Sequence, residues 1–373
     1  MDPATTTTRD AALDALERAL EQWSTTVSFQ RAVQETVARH GYAGDDVAAQ
    51  LAHVALRCRG RTMRHVMQSE LGADEVPANA PSSVLVLASG RMPGLSIEGI
   101  AAAIAVGASA LVRPSRDETV LHHFLGMLRE EEPDLAARIE VVGTGGEPPW
   151  ERADAAVVFG SDETIALVRD KLPDAAKDRV AAYGSRQGIA VVAPGADVDA
   201  SWAKRLAGDV LAFRQVGCMS PSWLFVLGDD ESAAPLQESV GRELALARDK
   251  HVGAGVDVGM QQRRTSDADV LGAIAAGMAP NATALHAGDA QLTVVRVSSE
   301  DELAAQVGQL GTLLQTAVIA TSREDRGRIA ELLLEHTNVS RICLPGQAHE
   351  PDGLWPQDGI GRVAPLVGRV AGS

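Results

Sequence analysis

Residues 83–114 read SVLVLASGRMPGLSIEGIAAAIAVGASALVRP, and this segment carries the clearest signal of the fold class. The apolar run at 84–87 is typical of a strand that is buried on both faces, and a turn with glycine and proline follows it. An alanine-rich helix is predicted over 96–106, and 110–112 is a second short apolar strand. A strand, a helix and a strand in this order predict a parallel pair joined by a crossover helix.

The same alternation continues downstream of this unit. Further strands are predicted at 139–142, 155–159, 189–192, 223–227, 292–297 and 317–320. Helices are predicted between them at 119–131, 162–172, 200–213, 235–248, 267–276, 300–310 and 324–336. Residues 10–72 have only the periodicity of amphipathic helices, with segments at 11–23, 27–39 and 45–71. The sequence therefore predicts an α/β protein, with a parallel sheet covered by helices on both faces and an N-terminal helical extension.

The composition argues against a nucleic-acid-binding protein. The chain has 34 Lys and Arg residues against 50 Asp and Glu residues, a net charge of −16, whereas binding to phosphates needs a basic surface. Aromatic residues make up only 3%, so there is little material for stacking on bases. The cysteines form no CxxC pair, which indicates a reducing compartment, and no apolar stretch is long enough to span a bilayer. We therefore expect a soluble, cytoplasmic protein without membrane insertion.

Cys218 is the first candidate for covalent chemistry. It follows Gly217 in a loop between a predicted helix and a predicted strand, and glycine lets the backbone approach a substrate closely. Backbone N–H groups around the sulfur can bind a developing oxyanion, and a modestly electropositive environment makes a thiol a useful nucleophile. A single cysteine is usually a small buried apolar residue, which is how we interpret Cys58 and Cys343. For Cys218 both interpretations stay open at this point.

Two strand ends are candidate sites for an anionic cofactor. A strand ends at Gly160 and a helix starts directly after Ser161, so free N–H groups at that helix start can bind a pyrophosphate. Arg113 and Arg116 follow another strand, and their guanidinium groups can contact the ribose and 2′-phosphate of a cofactor. An ordinary helix cap and a pair of solvated arginines are the alternative interpretations of these segments.

Other motifs exclude further classes of site. The histidines, including the pair His122 and His123, show no metal-ligand spacing with cysteines or carboxylates, so no metal is predicted. The glycine-rich segment 251–259 follows a helix rather than a strand, and we interpret it as a loop rather than a dinucleotide fingerprint. Neither a GxSxG elbow nor a Walker A segment occurs in the sequence.

Several short motifs occur in one order along the chain. They are Pro93, RPS at 113–115, VFGSDET at 158–164, YGSR at 183–186, GCMSP at 217–221 and WPQDG at 355–359. This series resembles the aldehyde dehydrogenase superfamily, and more closely its long-chain acyl-CoA reductase branch, which supplies aldehyde for bacterial bioluminescence. The resemblance covers the chain from about residue 83 to its C-terminus, whereas the N-terminal helices match only in a general way.

The resemblance implies an aldehyde-dehydrogenase-like fold with two α/β domains. A Rossmann-like NADP-binding domain is expected at 83–195 and a catalytic domain at 196–345. Residues 1–82 form the helical extension, and 346–373 form a C-terminal segment that packs back near the cleft.

The resemblance also implies an NADPH-dependent reduction of an acyl thioester, delivered by coenzyme A or an acyl carrier protein, to the aldehyde. Cys218 is then the nucleophile that forms an acyl-enzyme, and Met219 and Arg91 are candidates for holding the oxyanion. The residues expected to bind the cofactor are Arg113, Ser115, Arg116, Gly160, Ser161, Tyr183 and Gly184. An acyl-activating enzyme is an expected partner. The sequence leaves the oligomeric state open, and a homo-oligomer is one of the states it allows.

Three positions depart from the superfamily pattern. Tyr183 stands where aldehyde-oxidising members have the glutamate that activates water, so hydrolysis of an acyl-enzyme would lack its general base. Arg91 replaces the asparagine that usually helps to form the oxyanion hole. Arg116 replaces the glutamate that holds the ribose hydroxyls, which favours NADPH over NADH. An aldehyde-oxidising dehydrogenase and a non-catalytic scaffold in a biosynthetic complex remain the alternatives.

Overall fold

The structure is a computed structural model of the chain, and it describes residues 8–72, 77–143, 146–193, 200–251, 283–287 and 290–368. The backbone divides into two compact units. Unit 1 is drawn from Met1–Arg39, Val47–Ser185 and Asp352–Ser373, and unit 2 from His40–Asp46 and Arg186–Pro351. The helix predicted over 267–276 and nearly all of the loop predicted over 251–259 lie outside the described residues.

Unit 1 contains a parallel sheet built around the two strands of residues 83–114. Its strands are β1 (Ser83–Ala88), β2 (Ser109–Pro114), β3 (Ile139–Val141), β4 (Ala155–Phe159) and β5 (Val180–Tyr183). They lie in the order β3-β2-β1-β4-β5, and every neighbouring pair is parallel. This arrangement confirms the predicted α/β class. The strand order reverses at β1, and α/β sheets bind ligands beyond the carboxyl ends of the strands at such a switch point.

Eight α-helices are described in this part of the chain. They are α1 (Arg9–Trp23), α2 (Val27–His40), α3 (Gly44–Cys58), α4 (Gly60–Leu71), α5 (Leu95–Ala105), α6 (Leu121–Glu131), α7 (Pro133–Ala136) and α8 (Asp162–Lys171). Every residue of α5 after Leu95 is buried. Gly99 allows α5 to lie close to β1, because a Cβ atom there would come 2.4 Å from Cγ1 of Val86.

Most residues of the N-terminal helices belong to the same compact unit as this sheet. The sequence predicts a helical segment over 45–71 that Gly60 can interrupt, and the structure has α3 and α4 with a break at Arg59. A Cβ atom on Gly60 would lie 2.0 Å from the carbonyl oxygen of Leu13 in α1. The break therefore coincides with a close approach between two helix backbones that only glycine permits.

A buried ionic network ties the C-terminal segment to unit 1. Arg57 is only 2% exposed, and it donates to the carboxylate of Glu98 over 3.2 Å. Arg362 donates to the carbonyl oxygen of Arg57 over 3.0 Å. The carboxylate of Glu70 accepts the N–H groups of residues 362–364 at 2.8 to 2.9 Å. Burial acts to raise the pKa of Glu98, but the charges of Arg57 and Arg362 outweigh it and hold that pKa below its ordinary value.

Unit 2 contains a second sheet, mostly parallel. Its described strands are β6 (Gln187–Val192), β7 (Pro221–Leu227), β8 (Thr283–Ala287), β9 (Ala290–Val297), β10 (Leu314–Ala320) and β11 (Arg341–Cys343). They lie in the order β11-β10-β6-β7-β9-β8, and the β8–β9 pair is antiparallel. The resemblance implies that β6 belongs to the cofactor domain, with a boundary near residue 195. The structure differs, because β6 is hydrogen bonded to β10 and β7 within this second sheet.

The second sheet has an apolar core on each face. Ala190 and Val192 belong to one core, and Ile189 and Val191 belong to the other, as expected for a strand covered on both sides. The helices that the structure describes in this part are α9 (Ala200–Leu211), α10 (Asp230–His251), α11 (Glu300–Leu310) and α12 (Arg323–His336).

Among the residues that the structure describes, none of the helices combines the length and the apolar character needed to cross a membrane.

Replacing Gly60 with Ala should destabilise unit 1, because the added methyl group would meet backbone atoms of Leu13 that cannot move aside. We expect the free energy of unfolding, measured by urea denaturation, to fall by about 2 kcal/mol or more. Gly126 in α6 is the matched control, because no described atom lies within 4 Å of a Cβ atom placed there. Gly126→Ala should leave stability unchanged or raise it by about 0.5–1 kcal/mol. Equal losses in the two variants would contradict this account of Gly60.

Candidate active site

The carboxyl edge of the first sheet gathers eight of the predicted site residues. Arg91 follows β1, Arg113 closes β2, and the remaining six lie just after β2, after β4 or at the end of β5: Ser115, Arg116, Gly160, Ser161, Tyr183 and Gly184. The carboxyl ends of parallel strands share one edge of a sheet, which is why segments so distant in sequence meet in unit 1.

Gly90 holds the turn after β1 against the turn after β2. A Cβ atom on Gly90 would lie 2.2 Å from Oγ of Ser115 and 2.4 Å from the carbonyl carbon of Asp117. Oγ of Ser115 also accepts the N–H of Asp117 over 3.2 Å. The turn that carries the half-buried Arg91 therefore packs directly against the turn that carries Ser115. The order of these residues in the sequence does not reveal this contact.

The start of α8 is capped by its own residues. Ser161 is the N-cap, and its Oγ accepts the N–H of Thr164 over 3.3 Å. Asp162 accepts the N–H of Ser185 over 3.1 Å, and Glu163 adds a second carboxylate to the first turn. The negative charges of these carboxylates weaken the attraction of this helix start for a phosphate. Ser161 is exposed, so the helix start is still accessible to a ligand.

The two arginines after β2 differ in what they contact. Arg113 donates to the carbonyl oxygen of Gly146 over 3.0 Å. Arg116 is exposed, and it forms no hydrogen bond or ion pair with any residue in the part of the chain that the structure describes. An exposed guanidinium beside the switch point of a parallel sheet fits a ligand that carries phosphate groups, such as a dinucleotide.

Tyr183 belongs to the interior of unit 1. Its hydroxyl donates to the carbonyl oxygen of Gly361 over 2.8 Å, and its ring stacks on Phe159 with centroids 4.8 Å apart. Burial raises the pKa of the Tyr183 hydroxyl well above its ordinary value. Any contact of Tyr183 with a cofactor would therefore use its backbone, and its side chain is unsuited to act as a general base.

In unit 2, Cys218 lies in a tight turn just before β7. Ser220 donates its N–H to the carbonyl oxygen of Gly217 over 3.1 Å, so Cys218 and Met219 are the two central residues of the turn. Cys218 is half-buried. The N–H of Met219 donates to no acceptor in the described part of the chain, which leaves it available to a bound oxyanion.

The other two cysteines are poor nucleophiles. Burial raises the pKa of Cys58 to about 12 and that of Cys343 to about 11, so both thiols stay protonated at neutral pH. This agrees with their interpretation as structural residues. By elimination, Cys218 is the cysteine best placed for covalent chemistry.

A strained segment precedes the Cys218 turn. Phe213, Arg214 and Gln215 have φ values of 51°, 55° and 59°, in the left-handed region that favours glycine. Each such residue costs about 1–2 kcal/mol, so the segment needs compensating contacts. Gln215 provides three: its amide nitrogen donates to the carbonyl oxygens of Pro221 and Gln291 over 3.0 and 2.8 Å, and its amide oxygen accepts the N–H of Gln291 over 2.9 Å.

His349 is a neighbour of this turn that sequence reasoning set aside. Its Nε2 atom lies 3.0 Å from the carbonyl oxygen of Asp209 and 3.3 Å from Oγ of Ser220. A carbonyl oxygen only accepts, so Nε2 carries a proton. The ring also packs edge-on against Phe213, with centroids 5.5 Å apart. Residues 129 apart in sequence meet here, and neither periodicity nor spacing signals such a pair.

Asp209 supports the segment that carries His349. Its carboxylate accepts the N–H groups of Gly346 and Ala348 over 2.7 and 3.1 Å. Burial raises the pKa of Asp209 to about 7, although both hydrogen bonds and the charge of Arg341 oppose that rise. The sequence contains no motif that points to this carboxylate.

Comparisons with known proteins agree with the fold. The model of one family, Acyl-CoA reductase (LuxC), matches residues 4–257. No curated protein matches the sequence. The match includes the N-terminal helices, which the resemblance stated above covers only in a general way, and it ends before the WPQDG segment.

Several solved structures share the architecture. An NAD-dependent aldehyde dehydrogenase from Sinorhizobium meliloti is similar at 14% identity and a TM-score of 0.69, over 92% of this chain and 76% of that one. A succinate-semialdehyde dehydrogenase from Burkholderia pseudomallei is similar at 14% identity and a TM-score of 0.67, over 91% and 78%. An oxidoreductase from Marinobacter aquaeolei is similar at 14% identity and a TM-score of 0.63, over 90% and 77%. At such identities the likeness shows the fold alone, and it confirms the aldehyde-dehydrogenase-like prediction.

Replacing Gln215 with Leu should loosen the turn that carries Cys218, because the backbone groups of Pro221 and Gln291 lose their partners. We expect the free energy of unfolding to fall by about 1–2 kcal/mol, since water can reach part of these groups. Alkylation of Cys218 by iodoacetamide, followed by peptide mass spectrometry, should become faster. Gln291→Leu is the control, because it leaves intact the backbone atoms that Gln215 uses and should change stability by no more than about 0.5 kcal/mol. The same alkylation rate in the Gln215 variant and the unmodified protein would refute this role.

Proposed function

This chain belongs to the acyl-CoA reductase (LuxC) family, and on that premise we propose that it reduces an acyl thioester to an aldehyde with NADPH. In this proposal unit 1 binds the cofactor and unit 2 supplies the nucleophile. The observation that carries the proposal is the Cys218 turn, where a half-buried thiol and the available N–H of Met219 occupy its two central positions. Acyl transfer requires a nucleophile and a hydrogen-bond donor to the oxyanion next to each other, and this turn provides both.

The first step is transfer of the acyl group to the enzyme. The Cys218 thiolate attacks the thioester carbonyl, the N–H of Met219 stabilises the negative charge on the oxygen, and the bond to the departing thiol breaks. That thiol belongs to coenzyme A or to an acyl carrier protein, and it leaves with one proton. The product is a new thioester between the acyl group and Cys218. The role of Arg91 as a second oxyanion donor stays a prediction.

The second step releases the aldehyde. NADPH, when bound, supplies a hydride to the acyl carbon. Cys218 stays bonded to that carbon until the carbon–sulfur bond breaks, when the sulfur leaves as a thiolate. With one proton taken from solvent, the acyl thioester becomes an aldehyde and the thiol is restored.

The features of unit 1 support binding of a nicotinamide dinucleotide. Arg116 is proposed to contact the 2′-phosphate, with Arg113 and Ser115 beside it, because its guanidinium is exposed and has no partner among the described residues. Gly160 and Ser161 are proposed to contact the phosphates near the switch point. The backbones of Tyr183 and Gly184, at the end of β5, extend the same edge.

The environment of Tyr183 favours reduction over oxidation of an aldehyde. An aldehyde-oxidising enzyme needs a base that activates water against the acyl-enzyme. The Tyr183 hydroxyl donates to Gly361 and has a raised pKa, so it does not supply that base. An acyl-enzyme that hydrolyses slowly suits an enzyme that reduces its acyl carbon by hydride transfer.

The proposal also includes two kinds of partner. One is an acyl-activating enzyme that supplies the thioester, and the other is a further copy of this chain in a homo-oligomer.

Mixing the protein with a long-chain acyl-CoA in the absence of NADPH should produce a covalent acyl adduct, because hydride is needed to resolve the thioester on Cys218. Intact mass spectrometry should show one acyl group per chain, and Cys218→Ser should abolish the adduct. Cys343→Ser is the matched control, because burial raises the pKa of Cys343 to about 11 and keeps it out of the reaction. An adduct that persists in the Cys218 variant would contradict the proposal.

Replacing Arg116 with Ala should weaken binding of NADPH by about tenfold or more, the effect expected for loss of a charge-assisted hydrogen bond to the 2′-phosphate. Binding of NADH should change little. Fluorescence titration with each reduced cofactor measures both dissociation constants. Arg129→Ala, which removes another exposed arginine, is the control and should leave both constants unchanged. Equal losses for NADPH and NADH would show that Arg116 does not read the 2′-phosphate.

A further inference from the structure

Two neighbouring histidines and a glutamate meet on the surface of unit 1. His122 and His123 lie in the first turn of α6, and Glu35 lies on α2. Nε2 of His123 is 2.9 Å from Oε2 of Glu35, and Nε2 of His122 is 3.3 Å from the same oxygen. The two imidazole rings are 3.9 Å apart between centroids. Three potential ligand atoms, one from each residue, lie within 4.8 Å of one another.

This donor set suits a divalent transition metal. Two imidazole nitrogens and one carboxylate oxygen are ligands that Zn²⁺ accepts, with water in the fourth tetrahedral position. Bonds of about 2.0–2.1 Å in a tetrahedron place neighbouring donor atoms about 3.3 Å apart. The two separations from Oε2 of Glu35, 2.9 and 3.3 Å, are close to that value. Small rotations of the side chains are enough to surround an ion.

The backbones that carry these residues are held in place independently of any ion. Oγ of Ser28 on α2 donates to the carbonyl oxygen of His123 over 2.6 Å. The hydroxyls of Thr36 and Thr119 form a buried hydrogen bond of 2.7 Å between α2 and the segment that leads into α6. Because the two helices are already fixed, an ion would order little besides the three side chains.

A nearby carboxylate shapes the helix start and adds negative charge. Glu118 accepts the N–H groups of Val120 and Leu121 over 3.2 and 2.8 Å, which caps the turn that carries both histidines. It lies close enough to His122 and Glu35 for electrostatic interaction with both. A second carboxylate beside the cluster favours a cation there.

The cluster is open to solvent. The side chains of His122, His123 and Glu35 are 58%, 17% and 44% exposed. A hydrated ion can therefore reach the cluster directly, and a water molecule can complete its coordination. His123 has the least exposed side chain of the three, so it is the ligand whose position the surrounding protein restricts most.

We propose that Glu35, His122 and His123 form a surface site for Zn²⁺ that cross-links α2 to α6. None of its three residues is a candidate nucleophile or cofactor-binding residue, and the proposed site does not depend on the proposed reaction. The sequence carries no signal of this site because Glu35 and His123 are 88 residues apart, while metal motifs are recognised by short spacings. A bound ion would stabilise the folded chain according to its concentration and affinity.

The test is a titration of the full-length protein with zinc sulfate in competition with a chromophoric chelator. We expect one Zn²⁺ per chain and a rise in Tm with added Zn²⁺. Glu35→Gln and His123→Ala should each weaken binding at least about tenfold, the loss expected when one of three protein ligands is removed. Glu35→Gln keeps the shape of the side chain, so it remains informative if His123→Ala folds poorly.

Two controls separate this site from other zinc ligands. His65→Ala removes an exposed histidine from α4 and should leave the affinity unchanged. Cys218→Ser removes the half-buried thiol and should also retain one Zn²⁺ per chain. Zinc binding that survives in both Glu35→Gln and His123→Ala, or that disappears in Cys218→Ser, would overturn the proposal, as would the absence of any bound Zn²⁺.

Discussion

The buried carboxylate of Glu98 brings together distant segments of unit 1. An ionised carboxylate away from water costs several kcal/mol unless cations and hydrogen-bond donors surround it. Glu98 lies on α5, the helix packed closest to β1, and Arg57 and Arg362 supply the compensating charge. Arg57 brings α3 to this point, and Arg362 brings the C-terminal segment. A single buried charge on the central helix thereby fixes both a helix from the N-terminal part and a segment more than 250 residues further along the sequence.

The fold could be predicted from the sequence where local patterns decide it. Apolar runs of four or five residues marked β1 and β4, and glycine and proline marked the turns beside them. Strand β5 was not predicted because it has only four residues, VAAY, and two of them are alanines, which are depleted in strands. The boundary between the two units could not be predicted because β6 has the same apolar pattern as the strands before it. Its place in the second sheet depends on its pairing with β7 and β10.

Only some residues of the candidate site could be predicted from the sequence. Cys218, Gly160 and Arg116 carry local signals, a glycine neighbour or a strand end, so the sequence points to them. Gln215 and His349 carry none, because their importance arises from contacts with residues 76 and 129 positions away. Their contribution also differs in kind. The local motifs provide reactive or charged groups, while the distant contacts hold the backbone in a conformation that non-glycine residues otherwise avoid.

The left-handed run at 213–215 has a consequence for how the protein is made. Glycine would adopt this conformation without strain, yet Phe, Arg and Gln stand there, and two of the three hydrogen bonds by which Gln215 secures it are made with Gln291. During synthesis the chain emerges from its N-terminus, so Cys218 leaves the ribosome well before the strand that contains Gln291. The Cys218 thiol therefore acquires its final surroundings late in biogenesis, and a nascent chain stalled before that strand would carry the cysteine without the hydrogen bonds that hold the segment before it.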